Sequence, residues 1–500
     1  MSPIHGENLA RPPSRSWWRE TEAPPTIGNF PCHFSSVTSW IAAIILIGSF
    51  GFLIAMGMTV SKLDRLHSPE KALELIVGRT MDAQNGLERA PQWEQDLFAI
   101  MTGDNSAERS RAVDWYRELI RQSKDPVVHL QLAILQAEIG RASQAILSAY
   151  EWKDKDEPLA RFAEFIRAAY GEEAPLDRQS IDQMQAYMAG CMAANWFSDR
   201  LAARLAQRAG NQTLLAQIQA RSQARADRLH AYSRRLMLGE LAVMLAGAGL
   251  FLVIWRRGRV GINPIRLHEP GVPPPWPGHV GAAVLLRGGA IGAIVMAAYL
   301  VYLPQENASL RALAIPLTNV PLLMFAYYAL FKPAGMTFEE GFGLNLPWKD
   351  LGRLVAAVLA IVAAGLWGEW AIERVAEQWH FSSHWTEWFD EDLVWGTSRL
   401  TLVSLLEYVL FAPVFEELVF RGLWFAILRR KFRFFPAAFI SALIFGLAHG
   451  YGLIGLVSVC WSGVLWAWIY EKTGSLVPGI LAHAINNLLV CLGIMALLRW

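Results

Sequence analysis

The 500-residue chain has almost no net charge, +1 with histidine neutral, and only four cysteines. The charge balance carries no signal for a nucleic-acid partner. Cys32, Cys191, Cys460 and Cys491 are scattered without metal-ligand spacing, and only Cys191 falls in the large polar segment, so no disulfide framework is indicated. An H-E-x-x-H metalloprotease signature is also missing. Charged residues are scarce at 18%, against 53% hydrophobic residues and 21 tryptophans, which places the chain among multispanning membrane proteins.

No cleavable signal peptide is read at the amino terminus. A polar, proline-containing tail over 1–36 precedes an apolar run over 37–60, too long for a signal core and long enough to cross a bilayer as an anchor. A second run covers 236–255. Arg11, Arg15 and Arg19 precede the first run, and Arg256, Arg257 and Arg259 follow the second, so both basic clusters are expected in the cytoplasm.

Between these runs, 61–235 carries 24 Lys and Arg against 24 Asp and Glu, with helical apolar spacing at Ala112, Val113, Tyr116 and Ile120. An extracytoplasmic, soluble, mostly α-helical domain is expected there, able to bind a protein partner. The stretch 126–146, with small residues at Ala133, Gly140 and Ala145, faintly resembles one tetratricopeptide hairpin, but no second copy is found. A Pro-rich cytoplasmic linker over 256–278 follows, expected to be extended because Pro273, Pro274 and Pro275 cannot continue a helix.

Further apolar runs at 279–303, 313–331, 354–371, 397–420, 436–450, 453–469 and 477–498 bring the span count to about nine. The expected fold is an all-α polytopic transmembrane bundle with an inserted soluble helical domain. If each run crosses once, the basic loops at Lys332 to Arg353 and Arg429 to Arg433 are both cytoplasmic and Trp500 lies outside. The protein is expected to be integral to the plasma (inner) membrane with its amino terminus in the cytoplasm. The loop 379–395 holds four tryptophans with His380 and His384 one helical turn apart; an aromatic interfacial segment is preferred there to a metal pair. Arg287 and Glu407 sit at membrane depth, where polar groups pair or face a cavity.

Within these apolar runs three polar patterns stand out: Glu416-Glu417-x-x-x-Arg421, Phe445-x-x-x-His449 and His483-x-x-x-Asn487. Hydrocarbon tolerates such groups poorly, so their recurrence points to a buried site. Residues four apart share a helix face while neighbours diverge by about 100°. Glu417 is thus placed to pair with Arg421, leaving Glu416 free to serve a reaction, and Pro413 upstream is placed to kink the helix. His449 is read as the partner of Glu416 in activating a water, and His483 with Asn487 as hydrogen-bond donors to an oxyanion. Counted inward from the basic loops at about 1.5 Å per residue, Glu416, His449 and His483 lie roughly 20, 24 and 17 Å deep, close enough to meet.

The ordered patterns resemble the CAAX prenyl protease 2 and bacteriocin-processing (CPBP, or Abi) membrane proteins, which include lysostaphin-resistance-protein-A-like proteins. The likeness covers about 350–500 and is densest over 397–498, inside a multispanning region 279–500. It implies an all-α intramembrane glutamate-type endopeptidase. Glu416 and His449 would activate water, His483 and Asn487 would stabilise the oxyanion, and Glu417, Arg421 and Phe445 would support them. No cofactor is implied, zinc at the Glu/His cluster being the alternative. The substrate would be a protein or peptide at the lipid bilayer. Two other readings compete: a non-catalytic scaffold or bacteriocin-immunity-type protein using the cluster structurally, and a transporter, for which no inverted repeat is seen.

Overall fold

The computed structural model describes residues 28–499 apart from 31–33, 60–62, 104, 156, 172–176, 270, 304–307 and 347. The tail arginines Arg11, Arg15 and Arg19, Cys32 and Trp500 lie outside the described residues. Among the described residues every regular element is helical. Among the described residues six helices are long and apolar enough to cross a membrane: Gln212–Arg259, Gly278–Tyr302, Ser309–Ala334, Leu351–Gln378, Leu453–Thr473 and Val477–Arg499. About nine was expected, and that count is not established. Ser36–Phe52 and Phe434–His449 are shorter apolar helices, and the run at 397–420 is broken into α and π segments.

The chain divides into two compact units. The first comprises Met1–Gly57, Val243–Ile372 and Leu402–Leu488; the second comprises Met58–Ala242, Glu373–Thr401 and Leu489–Trp500. Apolar side chains on the helices of the first unit point outward in numbers that water would not tolerate, among them Trp40, Ile47 and Tyr302. That is the pattern of a surface solvated by lipid.

The core of the first unit is aromatic. Trp276, Phe331, Phe342, Phe425 and Tyr470 are buried together, with Phe331 and Phe342 ring centroids 4.8 Å apart. The Pro-rich segment is non-helical, as its prolines require, but it is no free linker. Ile265 and Trp276 are buried, and the Leu267 and His268 N–H groups both donate to the Thr473 carbonyl at 2.9 Å. That carbonyl closes the helix Leu453–Thr473 and has no partner within it, so the extended segment completes the helix end. Gly474 turns the chain there at φ 74, and a Cβ would lie 2.5 Å from the Glu269 carbonyl oxygen.

Arg287 finds its partners at the start of the helix Ser36–Thr59. Its Nη2 donates to the Ser35 carbonyl at 3.0 Å, Thr38 Oγ1 at 2.8 Å and Ser39 Oγ at 2.9 Å.

In the second unit, short helices from Pro69–Leu87 to Trp196–Arg208 pack around Tyr116, Phe162 and Phe197. Ala112, Val113 and Tyr116 face inward as their spacing predicts, and the hairpin of Pro126–Glu138 with Ala142–Trp152 forms where the small residues suggested. The Trp-rich loop belongs to this unit. Trp385 is fully buried and Trp379 is exposed, so the loop is partly core rather than wholly interfacial. His384 turns to Thr386 Oγ1 at 2.7 Å and Glu118 Oε2 at 3.2 Å, not to His380.

Candidate active site

The stretch from Ser398 to Leu428 is helical throughout but not α-helical throughout. Glu407–Phe411 and Glu417–Phe425 are wound as π-helix, with Ala412–Glu416 between them. Pro413 explains part of this. In the first π segment the Ala412 N–H donates to the Glu407 carbonyl, five residues back. The next donor in that register would be Pro413, which has no N–H to give the Tyr408 carbonyl. Asn487 Nδ2 supplies the missing bond at 2.9 Å. In the second π segment the Phe420 carbonyl accepts from Ser441 Oγ at 2.9 Å, tying this helix to Phe434–His449. π-bulges re-aim side chains and recur at functional sites.

Just here lie the carboxylates. Glu417 Oε1 is 3.0 Å from Arg421 Nη1, and both side chains are sealed off, at 0% and 1% exposure. Glu416 retains 23%. The guanidinium has aromatic faces on two sides, with its central carbon 4.3 Å from the Phe445 ring centroid and 4.9 Å from that of Trp466. Such contacts stabilise a desolvated cation.

His483 stands between the two glutamates. Its Nδ1 is 3.3 Å from Glu417 Oε1 and its Nε2 is 3.8 Å from Glu416 Oε2. The imidazole stacks on the Trp466 indole at 4.0 Å and 17°. His449 closes the second motif helix, which Gly450 terminates. Its ring meets Phe445 edge-on at 4.6 Å, and Nδ1 lies 2.8 Å from the Phe445 carbonyl. A carbonyl can only accept, so Nδ1 carries the proton and Nε2 keeps its lone pair.

All seven motif residues belong to the first unit. Glu417 with Arg421, Phe445 over His449, and His483 beside the carboxylates adjoin one another. Two details differ from the sequence reading. The imidazole nearest Glu416 is His483, whereas the side-chain hydrogen bond of His449 goes to the Phe445 carbonyl. Asn487, read only as an oxyanion donor, spends one N–H on Tyr408, leaving the other.

The cluster is also short of hydrogen bonds. Glu416 Oε2, Glu417 Oε2 and all three guanidinium nitrogens of Arg421 are buried without a hydrogen-bond partner of acceptable geometry. Among the described residues no group of three or more His, Cys, Asp or Glu is arranged to hold a metal ion.

Sequence reasoning read 453–469 as a span but not as part of the site, because the helix Leu453–Thr473 carries none of the three patterns. It contributes Trp466, stacked on His483, and Gly463, where a Cβ would lie 2.8 Å from Arg421 Nη2. A glycine three residues before a tryptophan on an apolar helix was the available signal, and it is weak.

Residues 398–489, which include all seven motif positions, match the family model described as Type II CAAX prenyl endopeptidase Rce1-like. Over 153 residues the chain is 34% identical to the Bacillus subtilis (strain 168) protein named "Putative membrane peptidase YdiL". That alignment covers 30% of this chain, and the chain spans 57% of the relative's length. No solved structure matches. The family likeness read from the motifs is thus borne out over the motif-bearing segment, and the long apolar helices make this an integral membrane protein.

Proposed function

We propose that the chain is a membrane-embedded endopeptidase that hydrolyses a peptide bond of a membrane-associated protein or peptide. The observation that carries this reading is the pair of unequal carboxylates. Glu417 is fully buried against Arg421, whereas Glu416 keeps partial exposure, faces an imidazole and holds an oxygen with no hydrogen bond. Buried polar atoms without partners cost about 1–3 kcal/mol each, so a fold that keeps several together is holding them for chemistry.

In this mechanism Glu416 accepts a proton from water as its oxygen attacks the scissile carbonyl. His449 Nε2, left with a lone pair, is the second acceptor that orients the water. The oxyanion is met by the free N–H of Asn487 and by His483 Nε2 in the imidazolium form, since Nδ1 is directed at Glu417. Collapse of the tetrahedral intermediate expels the amine, which takes its proton from the Glu416 carboxyl. No metal enters these steps, so chelators should leave the rate unchanged. The amino terminus is assigned to the cytoplasm of the inner membrane, and 61–235 is read as presenting substrates or binding a protein partner.

The buried Glu417–Arg421 pair would equally suit a non-catalytic scaffold. The two readings part at Glu416→Gln, which keeps size and polarity. For the full chain in detergent or nanodiscs, with peptide termini compared by proteomics between cells carrying wild-type or variant protein, cleavage products should vanish with Glu416→Gln and with His449→Ala. Wild-type cleavage by both variants would sink the peptidase reading.

A further inference from the structure

The Pro-rich segment, the turn after Leu453–Thr473 and the short helix Phe338–Phe342 enclose a cavity of about 540 Å³ in the first unit, within the range that holds small ligands. Pro273, Pro275 and Met336 give it apolar walls.

Its charge is one-sided. Glu269, Glu339 and Glu340 line it, and the only lining residue able to oppose them is His268, so the walls stay negative whether or not that imidazole is protonated. No ion pair joins any of the three carboxylates to a described residue. Glu269 and Glu339 are exposed, and their side chains have no hydrogen bond among the described residues. Glu340 Oε2 accepts from the Thr337 N–H at 2.8 Å, a neutral donor that holds the carboxyl below its ordinary value without cancelling its charge.

Two uncharged donors line the same space without acceptors. Tyr470 is 1% exposed, and its hydroxyl makes no hydrogen bond to a described residue. The hydroxyl end lies at the cavity wall, since a Cβ on the lining Gly271 would stand 3.1 Å from Oη. Trp276, 2% exposed, also lines the cavity, and its Nε1 is buried without a partner. Buried donors are seldom left unmet, so these two call for an acceptor that the fold does not supply.

We propose that this cavity binds a lysine or arginine residue of a peptide, with Glu269, Glu339 and Glu340 taking the side-chain cation and Tyr470 and Trp276 donating to a backbone carbonyl. A bare metal ion suits it less, because among the described residues no three acidic, histidine or cysteine groups converge to hold one. A polyamine offers the two donors no acceptor, and a free amino acid brings a carboxylate that the glutamates repel. The aliphatic stem of a basic side chain has Pro273, Pro275 and Met336 to lie against. Tyr470 follows Trp466 by one helical turn, about 6 Å along the axis, so the occupant touches the helix that carries the indole stacked on His483. The proposal is independent of the chemistry assigned to Glu416.

The test uses the full chain in detergent, titrated calorimetrically with N-acetyl-lysine methylamide, its arginine counterpart, the neutral side-chain-acetylated lysine compound and spermidine. Saturable binding of the lysine or the arginine compound, about tenfold to a hundredfold tighter than the neutral analogue, supports the proposal, as loss of charged hydrogen bonds implies. Glu339→Gln should weaken that binding about twofold to fivefold, the effect of one exposed ion pair. Tyr470→Phe should weaken it about twofold to tenfold by removing one neutral hydrogen bond, and Glu416→Gln should leave it unchanged. No saturable heat from either cation at concentrations on the order of 10 mM, equal affinity for the neutral analogue, spermidine bound as tightly, or wild-type affinity in Glu339→Gln or in Tyr470→Phe each overturns it. So does loss of binding in Glu416→Gln, which would put the ligand in the other site. The comparison of charged and neutral compounds needs no variant, so it stands even if Tyr470→Phe misfolds.

Discussion

Replacing Arg421 by Met tests whether the Glu417–Arg421 pair holds the site together. The substitution keeps much of the side chain's length and packing while removing its charge. It strands Glu417, which is 0% exposed and 3.0 Å from the lost cation. Breaking one side of a buried pair costs about 3–5 kcal/mol, since the remaining charge is neither hydrated nor compensated. Losing the guanidinium's contacts with Phe445 and Trp466 adds about 0.5–2 kcal/mol. The sum, roughly 3.5–7 kcal/mol, is comparable to a typical domain's whole stability. Neutralising Glu417 in the same chain by Glu417→Gln should recover most of the loss, because a missing pair is far less harmful than half of one. The assay is equilibrium unfolding of the purified full chain in mixed micelles for wild type, both single variants and the double variant. A coupling energy of about 2–3 kcal/mol between the two sites is expected. A cost under about 1 kcal/mol for Arg421→Met, or additive losses in the double variant, would show that the pair is not the structural support it is taken to be.

Three further outcomes follow from the same geometry. Trp466→Leu removes the face on which His483 stacks, so cleavage should fall in kcat by about tenfold to a hundredfold with KM little changed, while Trp466→Phe restores most of it; an unchanged kcat in Trp466→Leu would remove Trp466 from the site. Gly463→Ala places a Cβ 2.8 Å from both Arg421 Nη2 and Ala442 Cβ, and unfolding measurements should show a loss of about 1–3 kcal/mol. In the second unit, burial pushes the Glu108 carboxyl up from its ordinary value, only partly offset by the hydrogen bond from Gln84. Its contribution to stability is then fully present below the unfolded value and lost as pH rises through the folded one. Hydrogen exchange in the helix Asn105–Ile120 should quicken as pH rises above the ordinary glutamate range in wild type relative to Glu108→Gln, and parallel pH profiles in the two would refute the assignment.

The proline at 413 illustrates the boundary of what a sequence can tell. A disturbed helix near the carboxylates followed from its missing N–H. That the disturbance takes the form of π turns on both sides, and that a side chain 79 residues later donates to the Tyr408 carbonyl, did not. Arg287 is a similar case, since its depth called for partners but only packing identified Ser35, Thr38 and Ser39.

The sequence by itself determined what is local. Helical periodicity placed Ala112, Val113 and Tyr116 inward, four-residue spacing paired Glu417 with Arg421, and apolar runs bearing charged groups announced a buried polar site. Its motif order also identified the family whose model the segment 398–489 matches. Tertiary structure alone decided which imidazole faces Glu416, because His483 lies 66 residues beyond Glu417 and its approach depends on how two helices pack. It alone brought Trp466 and Gly463 into the site from a helix without a polar motif. Ring stacking and close approach leave no periodic trace along a chain, whereas hydrogen-bonded helix geometry does.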